Sequence, residues 1–86
     1  MPEISRFFGI VIQMYYQDHH PPHFHVRYGA ERASIAIGDL AILSGRLNPR
    51  ALGLVIEWAS LHRTELLEAW QRARVKQEPG SIAPLR

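Results

Sequence analysis

Residues 18–37 read DHHPPHFHVRYGAERASIAI, a histidine-rich corner followed by the two strands of a predicted hairpin. The first eight of these residues hold four of the five histidines in the 86-residue chain. Pro21 and Pro22 each fix φ at about −65° and push the preceding residue toward an extended conformation, which predicts a stiff corner. His23 and His25 then open a strand at i, i+2 spacing, so both imidazole rings should lie on one face. The sequence therefore predicts a functional site at this corner, without naming its chemistry.

The hairpin follows from strict alternation of apolar and polar side chains over residues 23–28, which is typical of a strand with one buried face. Gly29-Ala30 suits a two-residue loop with a type II′ turn, after which the chain returns over residues 31–37. The resulting register predicts four cross-strand pairs: Phe24 with Ile35, Val26 with Ala33, His25 with Ser34, and Arg27 with Arg32.

The Arg27–Arg32 pair places two like charges opposite each other, which destabilises a hairpin by a few tenths of a kcal/mol to about 1 kcal/mol. An anion, or a carboxylate from elsewhere, would stabilise the pair. The alternative is that both guanidinium groups extend into solvent, or that Glu31 or Asp18 bridges them. We predict that the ligand-binding residues of this region are His19, His23, His25, Arg27, Tyr28 and Arg32.

The remaining chain predicts two further strands and one long helix. Residues 7–16 are rich in Ile, Val, Phe and Tyr and predict one strand, with Gly9 as a gap or bulge, and residues 40–44 predict a short strand. Asn48-Pro49 is a strong helix start, and no breaker follows before Pro79, so we expect a helix over about residues 49–75. The polar stretch 60–64 is the place where this helix could kink or break.

These elements predict an α+β fold, with a three- to four-stranded antiparallel sheet packed on one long C-terminal helix. We expect residues 1–76 to form a single domain and residues 77–86 a C-terminal tail, docked through Ile82 and Leu85. The sheet can cover only one apolar stripe of the helix. A second copy or a partner protein should therefore contact the second stripe, for which we predict the interface residues Leu54, Trp58, Leu61 and His62.

Composition narrows the class of protein. The chain has a net charge of +2, no cysteine and 47% hydrophobic residues. Disulfides, thiolate metal sites and cysteine nucleophiles are therefore excluded. The chain has no apolar run long enough to span a membrane and no signal-peptide layout, so we expect a cytoplasmic protein without membrane contact. The charge is compatible with RNA or DNA as a partner but does not require one.

The histidine corner could hold a metal ion. Asp18, His19, His23 and His25 offer imidazole nitrogens and a carboxylate, a donor set that suits a divalent metal such as zinc, the one cofactor that the sequence suggests. Their spacing matches no standard zinc motif such as H-E-x-x-H. The structural alternative is that these histidines donate hydrogen bonds to loop carbonyls and hold the corner together.

A further hypothesis is acid–base catalysis, for which the catalytic candidates are His23, His25 and Asp18. A histidine beside a carboxylate can take a proton from a ribose hydroxyl, and nearby arginines can stabilise the charge that develops on the phosphate. The chain contains no G-x-S-x-G and no glycine-rich phosphate loop, so neither a nucleophile elbow nor a P-loop is predicted.

Three stretches resemble one family of small bacterial proteins, catalogued as domain of unknown function four-one-six-zero. They are the opening M-P-x-I-S-x-F-x-G-I-x-I, the block D-H-x-P-P-H-F-H-V-R-Y-G and the helical A-L-x-L-V-x-E-W-A-x-L-H-x-x-E-L-L-x-x-W, and the ending I-x-P-L matches as well. His20 stands at a position that the family varies. The resemblance implies a family hallmark at Asp18, His19, Pro21, Pro22, His23, Phe24, His25, Arg27, Tyr28 and Gly29.

The same resemblance implies a stand-alone cytoplasmic protein, encoded beside a second small family as in a toxin–antitoxin pair, and it supplies no catalytic residues. We therefore expect one component of a two-gene, toxin–antitoxin-like module. It would bind a cognate protein, or form a homodimer, through its helix, and would contact RNA or DNA phosphate through the His/Arg hairpin face. The alternative is a metal-dependent hydrolase or nuclease that uses His19, His23 and His25.

Overall fold

A computed structural model describes residues 2–86, so Met1, the first residue of the predicted domain, lies outside the described residues. Five strands precede two helices: β1 Glu3–Phe7, β2 Ile10–Gln13, β3 His23–Tyr28, β4 Glu31–Ala36, β5 Ile42–Gly45, α1 Pro49–Leu61 and α2 Arg63–Arg74. The strands form one antiparallel sheet in chain order, from β1 to β5. The α+β class is confirmed.

The β3–β4 hairpin has the predicted register. Phe24 pairs with Ile35, Val26 with Ala33, His25 with Ser34 and Arg27 with Arg32. In the connecting loop φ is +58° at Gly29, and Ala30 is not among the residues with positive φ, as a type II′ turn requires. The alternation of apolar and polar residues therefore specifies both this pairing and the face that each side chain occupies.

The prediction of a single strand over residues 7–16 is wrong. The chain reverses at Phe8 and Gly9, whose φ angles are +50° and +79°, as in a type I′ hairpin turn. This reversal separates β1 from β2 and raises the strand number to five, above the three or four that we expected. Phe8, at the tip of the turn, is 60% exposed, although it lies within an apolar run.

The prediction of one long helix is also wrong, because α1 and α2 meet at His62 inside the polar stretch. His62 has φ −125° and ψ 25°, and its side chain pairs with Glu65 in the first turn of α2. The predicted start is confirmed, since the Asn48 side chain accepts the backbone N–H of Ala51 at 2.9 Å. Neither helix within residues 2–86 is long and apolar enough to cross a membrane.

The core lies between the helices and one face of the sheet. Trp58 of α1 is fully buried there, with its ring 5.4 Å from that of Phe7 and 6.0 Å from that of Phe24. Its Nε1 donates to the carbonyl oxygen of Ala83 in the C-terminal segment. Trp58, which we predicted at an interface, is therefore covered by its own chain, because the sheet and the C-terminal segment enclose more of α1 than a single stripe.

The C-terminal segment packs onto this core without regular secondary structure. The backbone N–H of Ile82 donates to the carbonyl oxygen of Ile4 at 2.7 Å, and Ile82 and Leu85 are both buried. Arg72 of α2 donates to the carbonyl oxygen of Pro79. The segment thus contacts the first strand through Ile82, one of the residues we expected to dock it, and the last helix through Pro79.

Gly45 closes β5 in a conformation that only glycine can adopt at this place. Its φ is +77°, and a Cβ there would lie 2.1 Å from the carbonyl oxygen of Arg32. We expect Gly45→Ala to lower the free energy of unfolding by about 2 kcal/mol or more, measured by urea denaturation. Gly53 is the control, because it lies in α1 with open space around it, and Gly53→Ala should stabilise by about 0.5–1 kcal/mol. Equal effects of the two substitutions would contradict this account.

Candidate functional site

Asp18 is the centre of the histidine corner. It lies in the segment between β2 and β3, and its Oδ2 is 3.0 Å from Nε2 of His23 and 2.9 Å from Nε2 of His25. Its Oδ1 accepts the backbone N–H of His19 at 2.9 Å. One carboxylate therefore connects an irregular segment to the first strand of the central hairpin.

The two prolines hold the corner against β4 and orient His23. The carbonyl oxygen of Pro22 accepts the backbone N–H of Ile37, and that of Pro21 accepts Nδ1–H of His23 at 2.7 Å. His23 is 2% exposed and packs against the ring of Trp70 at 5.1 Å. Since a carbonyl oxygen only accepts, Nδ1 carries the proton. A neutral His23 then directs the lone pair of Nε2 at the Asp18 carboxylate, and this contact is favourable only when a proton or another cation lies between the two atoms.

His25 is held by stacking. Its ring lies parallel to that of Tyr15, with 3.8 Å between the centroids and 9° between the planes. The side chain is 21% exposed, so its edge is accessible from the outer face of the sheet. Tyr15 thus fixes the plane in which His25 points Nε2 at Asp18.

The structure brings together three of the four predicted metal ligands. One donor atom each from Asp18, His23 and His25 lies within 4.8 Å of the others, and we call this group the three-donor cluster. His19 does not belong to it: its side chain is 85% exposed, and its Nδ1 contacts the other oxygen of Asp18, Oδ1. His20 packs near Trp70 instead.

The contacts of Asp18 favour its charged form. Burial opposes ionisation, but the hydrogen bond with His25, the N–H of His19 and the nearby imidazoles of His23 and His25 outweigh it. Together they lower the pKa of Asp18 below its ordinary value. The cluster therefore carries a negative charge at neutral pH on its carboxylate.

The outer face of the sheet continues from this cluster. Strand register places Gln13, His25, Ser34 and Ser44 in one row across the sheet, and Arg6, Val11, Arg27 and Arg32 in the next. We call the part formed by Gln13, His25, Arg27, Arg32, Ser34 and Ser44 the His/Arg face. It borders a cleft of about 250 Å³. The register of β2 and β5, which the sequence did not reveal, adds Gln13 and Ser44 to the predicted binding residues.

The opposed arginines have no acidic partner within residues 2–86, since none of the salt bridges there includes Arg27 or Arg32. Glu31 does not bridge them, because it accepts hydrogen bonds from Asn48. Asp18 is occupied by histidines. Both of the bridging carboxylates that we considered are therefore engaged elsewhere.

Glu3 is an acidic residue whose charge interacts with Arg27. Its hydrogen bond with Arg6 lowers the pKa of Glu3, and the charge of Arg27 adds to this effect. Both partners of the Glu3–Arg6 ion pair are well exposed, so the pair contributes little to stability. Arg27 thus interacts with the Glu3 carboxylate through its charge, but Glu3 forms its salt bridge with Arg6.

The remaining predicted residues lie elsewhere. Tyr28 occupies the end of β3, where its ring is near Gly9 and lines a different cleft with Phe8 and Leu54, so it is not part of the His/Arg face. Among the predicted interface residues, Leu61 is 68% exposed at the end of α1, whereas Leu54 is partly buried against the core.

The comparisons with known proteins identify a family and no activity. The chain belongs to the family described as Domain of unknown function (DUF4160), whose model matches residues 9–71. This range includes the three-donor cluster and the whole His/Arg face. No curated protein and no solved structure matches the chain.

Asp18→Asn removes the charge and keeps the shape of the side chain. We expect it to lower the free energy of unfolding at pH 7 by about 1.5–3 kcal/mol in the presence of a chelator, because two imidazoles lose a charged partner. The folded chain lowers the pKa of Asp18, so this stabilisation is present above the unfolded value of about 3.9 and is lost as pH falls through the folded one. Urea unfolding of both proteins from pH 7 to pH 3 should therefore show the difference shrinking in acid.

Asp39 provides the control for this experiment. Its carboxylate accepts the backbone N–H of Ala41 in an exposed turn. Asp39→Asn should cost less than Asp18→Asn at pH 7, since no imidazole depends on it. An equal loss in both variants would show that the histidine contacts of Asp18 contribute nothing.

Proposed function

We propose that the His/Arg face binds the phosphate backbone of RNA or DNA. The observation that carries this proposal is the direct opposition of Arg27 and Arg32 on one face, with no carboxylate paired to either in residues 2–86. Such a pair costs stability in the free protein. A bound anion would turn the repulsion into two attractive contacts.

The chemistry of the face suits a phosphodiester. A guanidinium group presents planar donors that match phosphate oxygens, and two of them on adjacent strands can contact neighbouring phosphates. Gln13 offers a neutral amide at the cleft beside them, and Ser34 and Ser44, whose hydroxyl groups are hydrogen-bonded to each other, also line it.

The proposal implies modest affinity that depends strongly on salt. The net charge of the chain is only +2, and the face offers two arginines that have no salt bridge within residues 2–86. Each phosphate that is neutralised releases about 0.7 of a counterion from single-stranded nucleic acid, so two contacts give a slope near −1.4 in a plot of log K against log salt.

Hydrolysis of a phosphodiester is the second candidate function. It is favoured by His25, which belongs both to the His/Arg face and to the three-donor cluster. An imidazole held by a carboxylate is suited to move a proton at a phosphate bound over Arg27 and Arg32. His23 is enclosed by Trp70 and Pro21, so it would act on substrate only through the cluster.

We also propose that a second protein chain covers the exposed end of α1. Leu61 is 68% exposed there, and Leu67 of α2 is 38% exposed. In the toxin–antitoxin-like module that the resemblance implies, this chain is the cognate small protein; a homodimer is the alternative. Both arrangements leave the His/Arg face on the outer side of the sheet free.

Arg27→Ala and Arg32→Ala test phosphate binding. Each should weaken binding of a fluorescent single-stranded RNA by about 5-fold and lower the salt slope by about 0.7, measured by anisotropy over a range of salt concentrations. Either substitution also relieves the like-charge repulsion, so the free energy of unfolding should stay constant or rise by up to about 1 kcal/mol.

Arg63 is the matched control, because it is exposed on α2, in the helical layer. Arg63→Ala should bind the RNA almost as the parent chain does. An equal loss in all three variants would indicate a diffuse charge effect and contradict a specific face. Binding that does not respond to salt would contradict phosphate recognition altogether.

Leu61→Lys tests whether a second chain covers the exposed end of α1. Because Leu61 is exposed in the single chain, the substitution should change the free energy of unfolding by no more than about 0.5 kcal/mol. We expect the parent chain to form a dimer in sedimentation experiments if a second copy covers this site, and Leu61→Lys to dissociate it. A parent chain that stays monomeric at high concentration would exclude the homodimer and leave the cognate protein.

A further inference from the structure

We infer that Asp18, His23 and His25 bind one transition-metal dication of the zinc class. Their donor atoms, Oδ2 of the aspartate and Nε2 of each histidine, all lie within 4.8 Å of one another. Two imidazole nitrogens and one carboxylate oxygen form a donor set that suits zinc and its neighbours in the first transition row.

The spacing of the donors is close to that of a metal site. Donors about 2.0–2.1 Å from a tetrahedral zinc ion lie roughly 3.3 Å from each other. The separations from Asp18 Oδ2 are 3.0 Å to His23 Nε2 and 2.9 Å to His25 Nε2. For these two separations, the histidine nitrogens need to move away from Asp18 by only a few tenths of an ångström to admit the ion.

Contacts behind the donors orient them as outer-shell partners do in metal sites. His23 donates its Nδ1–H to the carbonyl oxygen of Pro21, which leaves Nε2 with a free lone pair directed at the cluster. The backbone N–H of His19 binds Asp18 Oδ1, so Oδ2 is the oxygen turned toward the histidines. Stacking on Tyr15 fixes the ring plane of His25. Each of the three ligands is therefore aimed by a group that is not itself a ligand.

The position between these donors requires positive charge. His23 is almost completely buried, and its neutral form with Nδ1–H sets a lone pair against a carboxylate oxygen. A proton on Nε2 of His23 would satisfy this one pair of atoms, whereas a dication between them satisfies both atoms and also binds Nε2 of His25. The need for positive charge here follows from the hydrogen bond between His23 Nδ1 and Pro21. It is therefore a second observation, separate from the proximity of the three donors.

The cluster is accessible from one side. The side chain of His23 is 3% exposed, whereas those of Asp18 and His25 are 13% and 21% exposed. Three protein ligands leave a fourth position of a tetrahedral ion for water or an anion. On the side of His25 this position is next to the His/Arg face. The metal site does not depend on the phosphate-binding proposal, although metal-assisted hydrolysis would depend on it.

The test is metal titration of the untagged chain after treatment with a chelator. We expect one equivalent of Zn²⁺ by isothermal titration calorimetry, and visible absorption bands when Co²⁺ takes its place. His25→Ala and Asp18→Asn should each weaken Zn²⁺ binding by about 100-fold or more, since loss of an outer-shell partner alone costs 10- to 100-fold. His25 is the preferred site for substitution because it is partly exposed, and a circular dichroism spectrum like that of the parent confirms that the variant is folded.

His20→Ala and His62→Ala are the matched controls, because these histidines lie outside the three-donor cluster. Both should bind Zn²⁺ as the parent does. The inference is overturned if the parent takes up no stoichiometric Zn²⁺, or if folded His25→Ala binds it with unchanged affinity. Arg27→Ala separates the two proposals, since it should lose affinity for RNA and keep its affinity for Zn²⁺.

Discussion

The two-residue periodicity of the β3–β4 pair is the constraint on which the structure depends. Phe24 and Val26 face the core, where they are fully or almost fully buried, while His25 and Arg27 face outward on the same strand. A shift of the register by one residue would exchange these two sets and expose the core side chains. The residues that bury the sheet against Trp58 therefore also determine where the imidazole and guanidinium groups lie. The pairing of β3 with β4 thus places the strand residues of the candidate site.

Asp18 attaches the irregular segment between β2 and β3 to the hairpin, through its contacts with His23 and His25. The segment is connected at several points: Gln17 donates its backbone N–H to Ala73 of α2, and Pro22 accepts that of Ile37. Between these points a carboxylate that is mostly buried would be unfavourable without compensating hydrogen bonds and charges. The imidazoles of His23 and His25 supply this compensation, which lowers the pKa of Asp18 despite its burial. The corner is thus held by electrostatics where the neighbouring hairpin is held by backbone pairing.

The sequence specified those parts of the fold that have a period or a strong local signal. The β3–β4 pairs followed from alternation and the Gly-Ala loop, and the start of α1 followed from Asn48-Pro49. The turn at Phe8 and Gly9 was missed because Gly9 was interpreted as a gap or bulge, and Phe8 inside an apolar run gives no turn signal of its own. The break at His62 has neither glycine nor proline. For the site, the residue types at the corner were informative, but the segment before His23 is aperiodic, so its sequence could not show which histidines reach Asp18.

His25 connects the three-donor cluster to the opposed arginines, because it belongs to the cluster and lies on the same strand as Arg27. The Cα atom of Arg27 lies about 7 Å from that of His25, two residues farther along β3. A dication in the three-donor cluster would therefore strengthen the binding of a phosphate held by the arginines. By linkage, the phosphate would strengthen metal binding by the same factor. Taken alone, opposed arginines are unfavourable, and a lone pair directed at a carboxylate is unfavourable too. An anion over the arginines and a cation between the imidazole and the carboxylate would relieve both conflicts, so the two proposed ligands are compatible on one face.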